Sequence, residues 1–183
     1  RPKSSAASDV YKRQDGTEHE VEDYIGKVKQ IAEKNNSSSL KVSKSNEERL
    51  KFWAGRKAAF PACGVLAPDY MCMDGSIPRG KLAEVLNEIS RLSKKYDLPV
   101  ANAFHAGDGN LHPLIMFDAN NPESLRKCEE FGADILKYCV KVGGALTGEH
   151  GVGIEKRELM CEAFNDKDIQ QQLTIKVALD PNS

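Results

Sequence analysis

Two segments of this chain concentrate the residue types that do chemistry. The first reads Phe104-His105-Ala106-Gly107-Asp108-Gly109-Asn110-Leu111-His112-Pro113. Histidines seven apart on one continuous strand would project to opposite faces. Gly107, Asp108, Gly109 and Asn110 all tolerate positive φ, so the chain can reverse there and set His105 beside His112. Two neutral imidazoles side by side suit a divalent ion such as zinc, iron or manganese. A hairpin with two polar residues at its mouth is the alternative, and this segment does not choose between them. The second segment is Gly143-Gly144-Ala145-Leu146-Thr147-Gly148-Glu149-His150-Gly151-Val152-Gly153, five glycines in eleven residues. Such a backbone can approach a ligand closely. Glu149 could complete a two-histidine, one-carboxylate set that leaves coordination positions for substrate. His150 would then be a general base near neutral pH. A purely structural loop is the plainer reading of the same glycines. The order G-x-G-x-x-G after a strand is absent, so the segment is not a dinucleotide fingerprint.

Other candidates are weaker. Arg56, in Trp53-Ala54-Gly55-Arg56-Lys57, could offer a bidentate fork to a carboxylate, although a surface helix with paired cations explains the pattern better on its own. His19 sits in an acidic stretch and is expected on the surface. Met71, Met73 and Met116 are expected to fill core rather than bind a cofactor.

The elements that must position these residues follow from periodicity and punctuation. Val21, Tyr24, Ile25, Val28 and Ile31 predict a helix over 21–35 that ends at the Asn-Ser run. Leu40-Lys41-Val42 is a short strand candidate. Ser45 with Glu48 is a capping-box pattern opening a helix through Lys57, and Phe60-Pro61 is expected to stop it. Tyr70–Met73 reads as a strand punctuated by Asp74-Gly75, and Pro78 suits the first turn of the next helix. Leu82, Val85, Leu86, Ile89 and Leu92 share one face of a helix over 80–96. Strands are expected at 99–105 and 111–117, a long helix from Pro122 to about Lys141, and two more helices near 155–164 and 166–179. Together these predict an α+β fold: a mainly antiparallel sheet with helices on one face, a ferredoxin-like cap arrangement, followed by a small helical subdomain. The expected division is an α+β domain over 15–142 and a glycine-rich loop with a helical subdomain over 143–183.

Composition bounds the rest. The 183 residues suffice for one compact domain, or one with a small subdomain. Twenty-six Lys and Arg against 27 Asp and Glu leave a net charge of −1, with no bulk electrostatic reason to bind nucleic acid or anionic membrane. No apolar run approaches the roughly 20 residues of a membrane-spanning helix. Cys63, Cys72, Cys128, Cys139 and Cys161 are odd in number, widely spaced and free of CxxC, which predicts reduced thiols in a cytoplasmic protein. Residues 1–14 hold four basic residues and one acid, with no apolar core of a secretory signal. They are expected to be a non-native leader, a transit peptide being the weaker reading.

The strings FHAGDGNLHPLIMFD and GGALTGEHGVGIEKRELM, in that order, resemble the C-terminal domain of FAD-linked 2-hydroxyacid oxidoreductases of the vanillyl-alcohol-oxidase type. That family includes the FAD-linked subunit of glycolate oxidase and the D-lactate and D-2-hydroxyglutarate dehydrogenases. WAGRKAAFPA and YMCMDGSIPR are similar to the same domain. The resemblance runs from about Asp15 to Ser183. It implies that His105, His112 and Glu149 are metal ligands, that His150 stands next to the substrate hydroxyl as catalytic base, and that Arg56 holds a substrate carboxylate. It implies FAD bound mainly by a domain N-terminal to this chain, a short tail beyond Ser183, and an isolated fragment without turnover. It further implies a small 2-hydroxy acid substrate, electron transfer to other oxidase subunits or a respiratory acceptor, and a cytoplasmic location with association to the inner membrane through those partners. No second anion-binding group can be placed, which favours glycolate or D-lactate over a dicarboxylate. A flavin-independent metal enzyme and a non-catalytic binding or assembly module are the competing classes.

Overall fold

The computed structural model describes residue 12 and residues 15–182. The chain divides into two compact units at Phe60–Pro61. The expected leader over 1–14 lies outside the described residues apart from Lys12.

The first unit is helical. Helix α1 (Glu18–Lys34) opens on a capping box: the Glu20 N–H donates to Thr17 Oγ1 at 3.4 Å, and the Thr17 N–H donates to Glu20 Oε2 at 2.9 Å. Helix α2 (Asn46–Ala62) follows Ser45, whose Oγ accepts from the Glu48 N–H at 3.2 Å. The Glu48 carboxylate reaches back to the Lys44 N–H rather than that of Ser45. Two expectations are corrected here. Leu40–Val42 is not a strand: it lies exposed and pairs with no segment among the described residues, and a strand alone leaves its ladder unmade. Pro61 does not stop α2, because its fixed φ is helical and only its own N–H bond is lost in the final turn.

The second unit carries the sheet. Its strands are β1 (Asp69–Cys72), β2 (Gly75–Ser76), β3 (Val100–His105) and β4 (Asn110–Phe117). All pair antiparallel with β4. β3 lies along one edge of β4, and β1 and β2 share the other. β1 pairs Asp69 with Phe117 and β2 pairs Ser76 with Asn110, in one unbroken register. Met73 and Asp74 therefore lie opposite Pro113 and His112. Asp74-Gly75, read from sequence as the end of a strand, is instead an interruption within one. The reason is Pro113, which accepts from the Met73 N–H at 3.1 Å but has no N–H to return. Further along, the chain returns to this edge, where Ala145 makes an isolated antiparallel bridge to Ser76. The order is that of a ferredoxin-like βαββαβ unit whose last strand is reduced to that bridge.

Helices α3 (Leu82–Tyr96) and α4 (Pro122–Lys141) cover the face of β4 that bears Leu111 and Ile115. α3 buries Val85, Ile89, Leu92 and Tyr96 at helical spacing, and Leu82 and Leu86 pack against the same cluster. α4 starts on Asn121, whose side chain accepts from the N–H groups of Glu123 and Ser124, with Pro122 in its first turn. It buries Cys128, Phe131, Ile135, Leu136 and Cys139. Phe131 stacks on Tyr96 with centroids 5.5 Å apart. All five cysteines are free thiols. Burial pushes Cys128 and Cys139 up to about 12, so they behave as small apolar groups. Met73 joins the core, Met71 packs against it, and Met116 is buried, as core filler should be.

The C-terminal stretch departs from expectation at one point. Instead of a helix over 155–164, a 3₁₀ turn (Arg157–Leu159) leads into the one-turn helix α5 (Met160–Ala163). The preceding turns serve to carry the Lys156 side chain inward, where it is 2% exposed. Helix α6 (Asp166–Leu179) opens on Asn165 in a second capping box and buries no residue. No helix of the described residues is long and apolar enough to cross a membrane.

Candidate metal centre

The hairpin between β3 and β4 turns at Gly109, whose φ of 75° suits glycine, and a side chain there would run into the Ile77 carbonyl. The tight reversal puts His105 opposite Asn110 and Ala103 opposite His112, so both histidines share one face of the sheet. Their rings meet edge to face, with centroids 5.3 Å apart. This is the face of β4 opposite the one that α3 and α4 cover.

The glycine-rich loop supplies the other half. His150 stacks on His112 at 5.2 Å between centroids. Glu149 Oε1 stands 3.1 Å from His112 Nε2 and 3.9 Å from His150 Nε2. One ligand atom from each of His105, His112 and Glu149 lies within 4.8 Å of the others. Ser76, His105, Asp108, Asn110, Gly148 and Glu149 line a cleft of about 340 Å³ at this point. A second set, Asp74, His112 and His150, satisfies the same distance limit. The surroundings of the two sets differ. Asp74 is fully buried and its carboxylate already accepts from Thr147 Oγ1, the N–H groups of Gly148, Glu149 and His150, and Lys156 Nζ. The Glu149 carboxylate faces the open cleft.

The donor chemistry of the open set fits a divalent ion. Ligand bonds of about 2.0–2.2 Å put two donors around a tetrahedral ion roughly 3.3 Å apart, close to the His112–Glu149 separation. Burial holds the His112 imidazole below its ordinary value, against the opposing pull of Glu149 and Asp74. His112 is therefore neutral at neutral pH, the form in which imidazole is a ligand. Burial also works against the charge on Asp74. The Thr147 hydroxyl, the N–H groups of His150 and Glu149, and Lys156 outweigh it and hold the carboxyl well below the usual carboxylate range.

Of the residues singled out from sequence, His105, His112, Glu149 and His150 come together. Arg56 lies half-buried on α2, in the first unit. His19 is exposed. Sequence reasoning missed Asp74, Lys156 and Asn110. A lone carboxylate at the end of the apolar run Tyr70–Met73 was the available sign for Asp74. Asn110 is 7% exposed, and its Oδ1 has no hydrogen-bond partner among the described residues. It occupies the space a side chain on Gly148 would need. Gly148→Ala is therefore expected to push the Glu149 loop away from Asn110, costing about 1–3 kcal/mol as overpacking does. Chemical denaturation measures the cost. A wild-type midpoint with wild-type ion affinity would show that the contact is slack.

The sequence matches the family described as FAD linked oxidases, C-terminal domain, over residues 10–183. It is 51% identical over 168 residues to the glycolate oxidase subunit GlcD of Escherichia coli strain K12, covering 92% of this chain and 34% of that protein. It is 31% identical over 180 residues to the subunit of the same name in Bacillus subtilis, covering 98% and 38%. It is 36% identical over 172 residues to the mitochondrial D-lactate dehydrogenase [cytochrome] of Arabidopsis thaliana, covering 91% and 30%. The chain thus spans about a third of the length of these relatives. By its sequence, and with an α+β fold that agrees, this chain belongs to the family of FAD linked oxidases and corresponds to their C-terminal domain.

Proposed function

We propose that this chain is the substrate- and metal-binding portion of an FAD-dependent 2-hydroxyacid dehydrogenase or oxidase, one that converts glycolate or D-lactate to the 2-oxo acid. The observation that carries the reading is the convergence of His105, His112 and Glu149 on one open cleft, with His150 stacked alongside. The relatives' names, glycolate oxidase subunit and D-lactate dehydrogenase, support the substrate class.

His105, His112 and Glu149 would hold a zinc, iron or manganese ion, which when bound supplies Lewis-acid polarisation of a substrate hydroxyl. FAD supplies the acceptor for the hydride that leaves C2. His112 contributes a neutral imidazole because its burial disfavours the charged form. Glu149 contributes the charge that balances a cation at the cleft. His150 is half exposed beside Glu149, open to solvent at the cleft. It takes the hydroxyl proton as the C2 hydride departs, which leaves the carbonyl of the 2-oxo acid with atoms and electrons in balance. Arg56 is assigned a substrate carboxylate by the family resemblance. Other oxidase subunits or a respiratory acceptor would take the two electrons. That assignment implies a cytoplasmic protein associated with the inner membrane through its partners.

The test is calorimetric titration of glycolate and D-lactate into the zinc-loaded chain, alongside Arg56→Met. Binding of both acids, weakened in the variant, is expected. Turnover by this chain without flavin would replace the reading with a stand-alone metal enzyme. Failure to bind either zinc or a hydroxy acid would leave a non-catalytic assembly module.

A further inference from the structure

Glu149 and His150 pose a positioning problem. Their side chains are 53% and 47% exposed, so packing does little to hold them. A mobile carboxylate is a poor ligand, since each ordered side chain costs rotamer freedom. The order must come from the backbone beneath them, and at residues 148–150 that backbone is anchored on a buried carboxylate. Three consecutive N–H groups, those of Gly148, Glu149 and His150, converge on Asp74 Oδ2 at 2.9, 3.0 and 2.8 Å. Thr147 Oγ1 donates to the same oxygen at 2.6 Å and accepts from the Gly151 N–H at 2.9 Å. The loop is a nest of the kind that binds anions, and its anion is an internal carboxylate. Charge-assisted bonds of this kind are roughly twice as strong as neutral ones. Lys156 closes the cage from within, its Nζ 2.7 Å from the Asp74 carbonyl oxygen and 3.4 Å from Oδ2. Asp74 also lies opposite His112 in the sheet register, with Oδ1 3.6 Å from His112 Nε2.

We propose that Asp74 is the positioning residue of this site. It ties the loop that carries Glu149 and His150 to the strand position opposite His112, and Lys156 balances its buried charge. Asp74 holds the two halves of the ligand set in register without itself facing the cleft. The inference rests on the metal-centre reading for its consequence, and on the hydrogen bonds alone for its mechanism.

The test pairs hydrogen exchange with zinc titration on the full chain. Asp74→Asn keeps the shape of the side chain but removes the charge that strengthens the nest's bonds and replaces one of its two acceptor oxygens with an NH₂ donor. Combining it with Lys156→Met removes the ammonium that would otherwise be left buried and uncompensated. In this double variant the amides of residues 148–150 are expected to lose protection while those around Phe131 and Ile135 keep theirs. Zinc affinity is expected to fall roughly 10–100-fold, the range seen when outer-shell partners are removed. Thr147→Val, which deletes one donor and leaves the charge pair intact, is expected to show a smaller loss in the same direction. It keeps the test decisive should the double variant not fold. Wild-type protection and affinity in a folded variant would overturn the proposal. A wild-type chain that binds no zinc overturns the metal reading instead, and the exchange comparison still decides the role of Asp74.

Discussion

His112→Ala is expected to abolish zinc binding by this chain, a larger loss than the roughly 10–100-fold that outer-shell changes produce. His112 is the residue common to both ligand sets and the most buried of the three histidines. Removing its imidazole leaves His105 and Glu149 on separate arms with no donor between them. The neighbouring substitutions sort the two sets. His105→Ala and Glu149→Ala are expected to lose the ion, while His150→Ala keeps it. If Asp74, His112 and His150 were the ligands, the pattern would reverse for His105 and His150. Elemental analysis after dialysis, with cobalt absorption as a second probe of geometry, reads the outcome. Equal metal content in wild type and all variants would sink the ligand assignment.

Phe131→Ala should remove about 3–5 kcal/mol of stability, the usual cost of deleting a fully buried aromatic side chain. Phe131 is 0% exposed and sits where α4 meets α3, stacked on Tyr96. The surroundings cannot collapse readily into the space. Met73 already occupies the gap over Gly132, and the sheet lies beneath. Against a typical stability of about 5–15 kcal/mol, such a loss is a large fraction of the whole. The Tyr96 hydroxyl donates to Asp134 at 2.7 Å, so that ring is anchored at its far end and will not swing to fill the cavity. Urea denaturation followed by circular dichroism should show a lower midpoint at an unchanged slope. A loss under about 1 kcal/mol would mean that this helix pair repacks freely, against the close packing described.

Much of the fold is legible in local pattern. The apolar period of 82–92 appears as α3, and the run from Pro122 to Lys141 as α4. Both are long amphipathic segments with clear punctuation at their starts, where short-range physics is strongest. The hairpin that sets His105 and His112 on one face of the sheet is legible for the same reason: four residues tolerant of positive φ separate two apolar runs. Where the reading failed, the missing information lay elsewhere in the chain. Leu40–Val42 has strand-like residues, and no segment among the described residues pairs with it. Asp74-Gly75 has the residues of a turn. Pro113, far along the sequence, is what interrupts the ladder there while the register continues. The segment after Gly153 has helical residues, yet its backbone is spent on delivering Lys156 to the interior.

The same division holds at the site. The sequence by itself determined the inventory: two histidines on a reversing hairpin, a carboxylate and a third histidine in a glycine-rich loop, and motifs specific enough to name the family. Donor type and local backbone freedom are properties of short segments, so they survive without a fold. Only the tertiary structure decided which carboxylate faces the cleft and which is consumed inside. Asp74 and Glu149 are chemically alike in sequence. One is caged by Thr147, three N–H groups and Lys156, from positions more than seventy residues away, while the other is left open to solvent. Hydrogen-bond saturation depends on what the fold brings near, and no local pattern carries it.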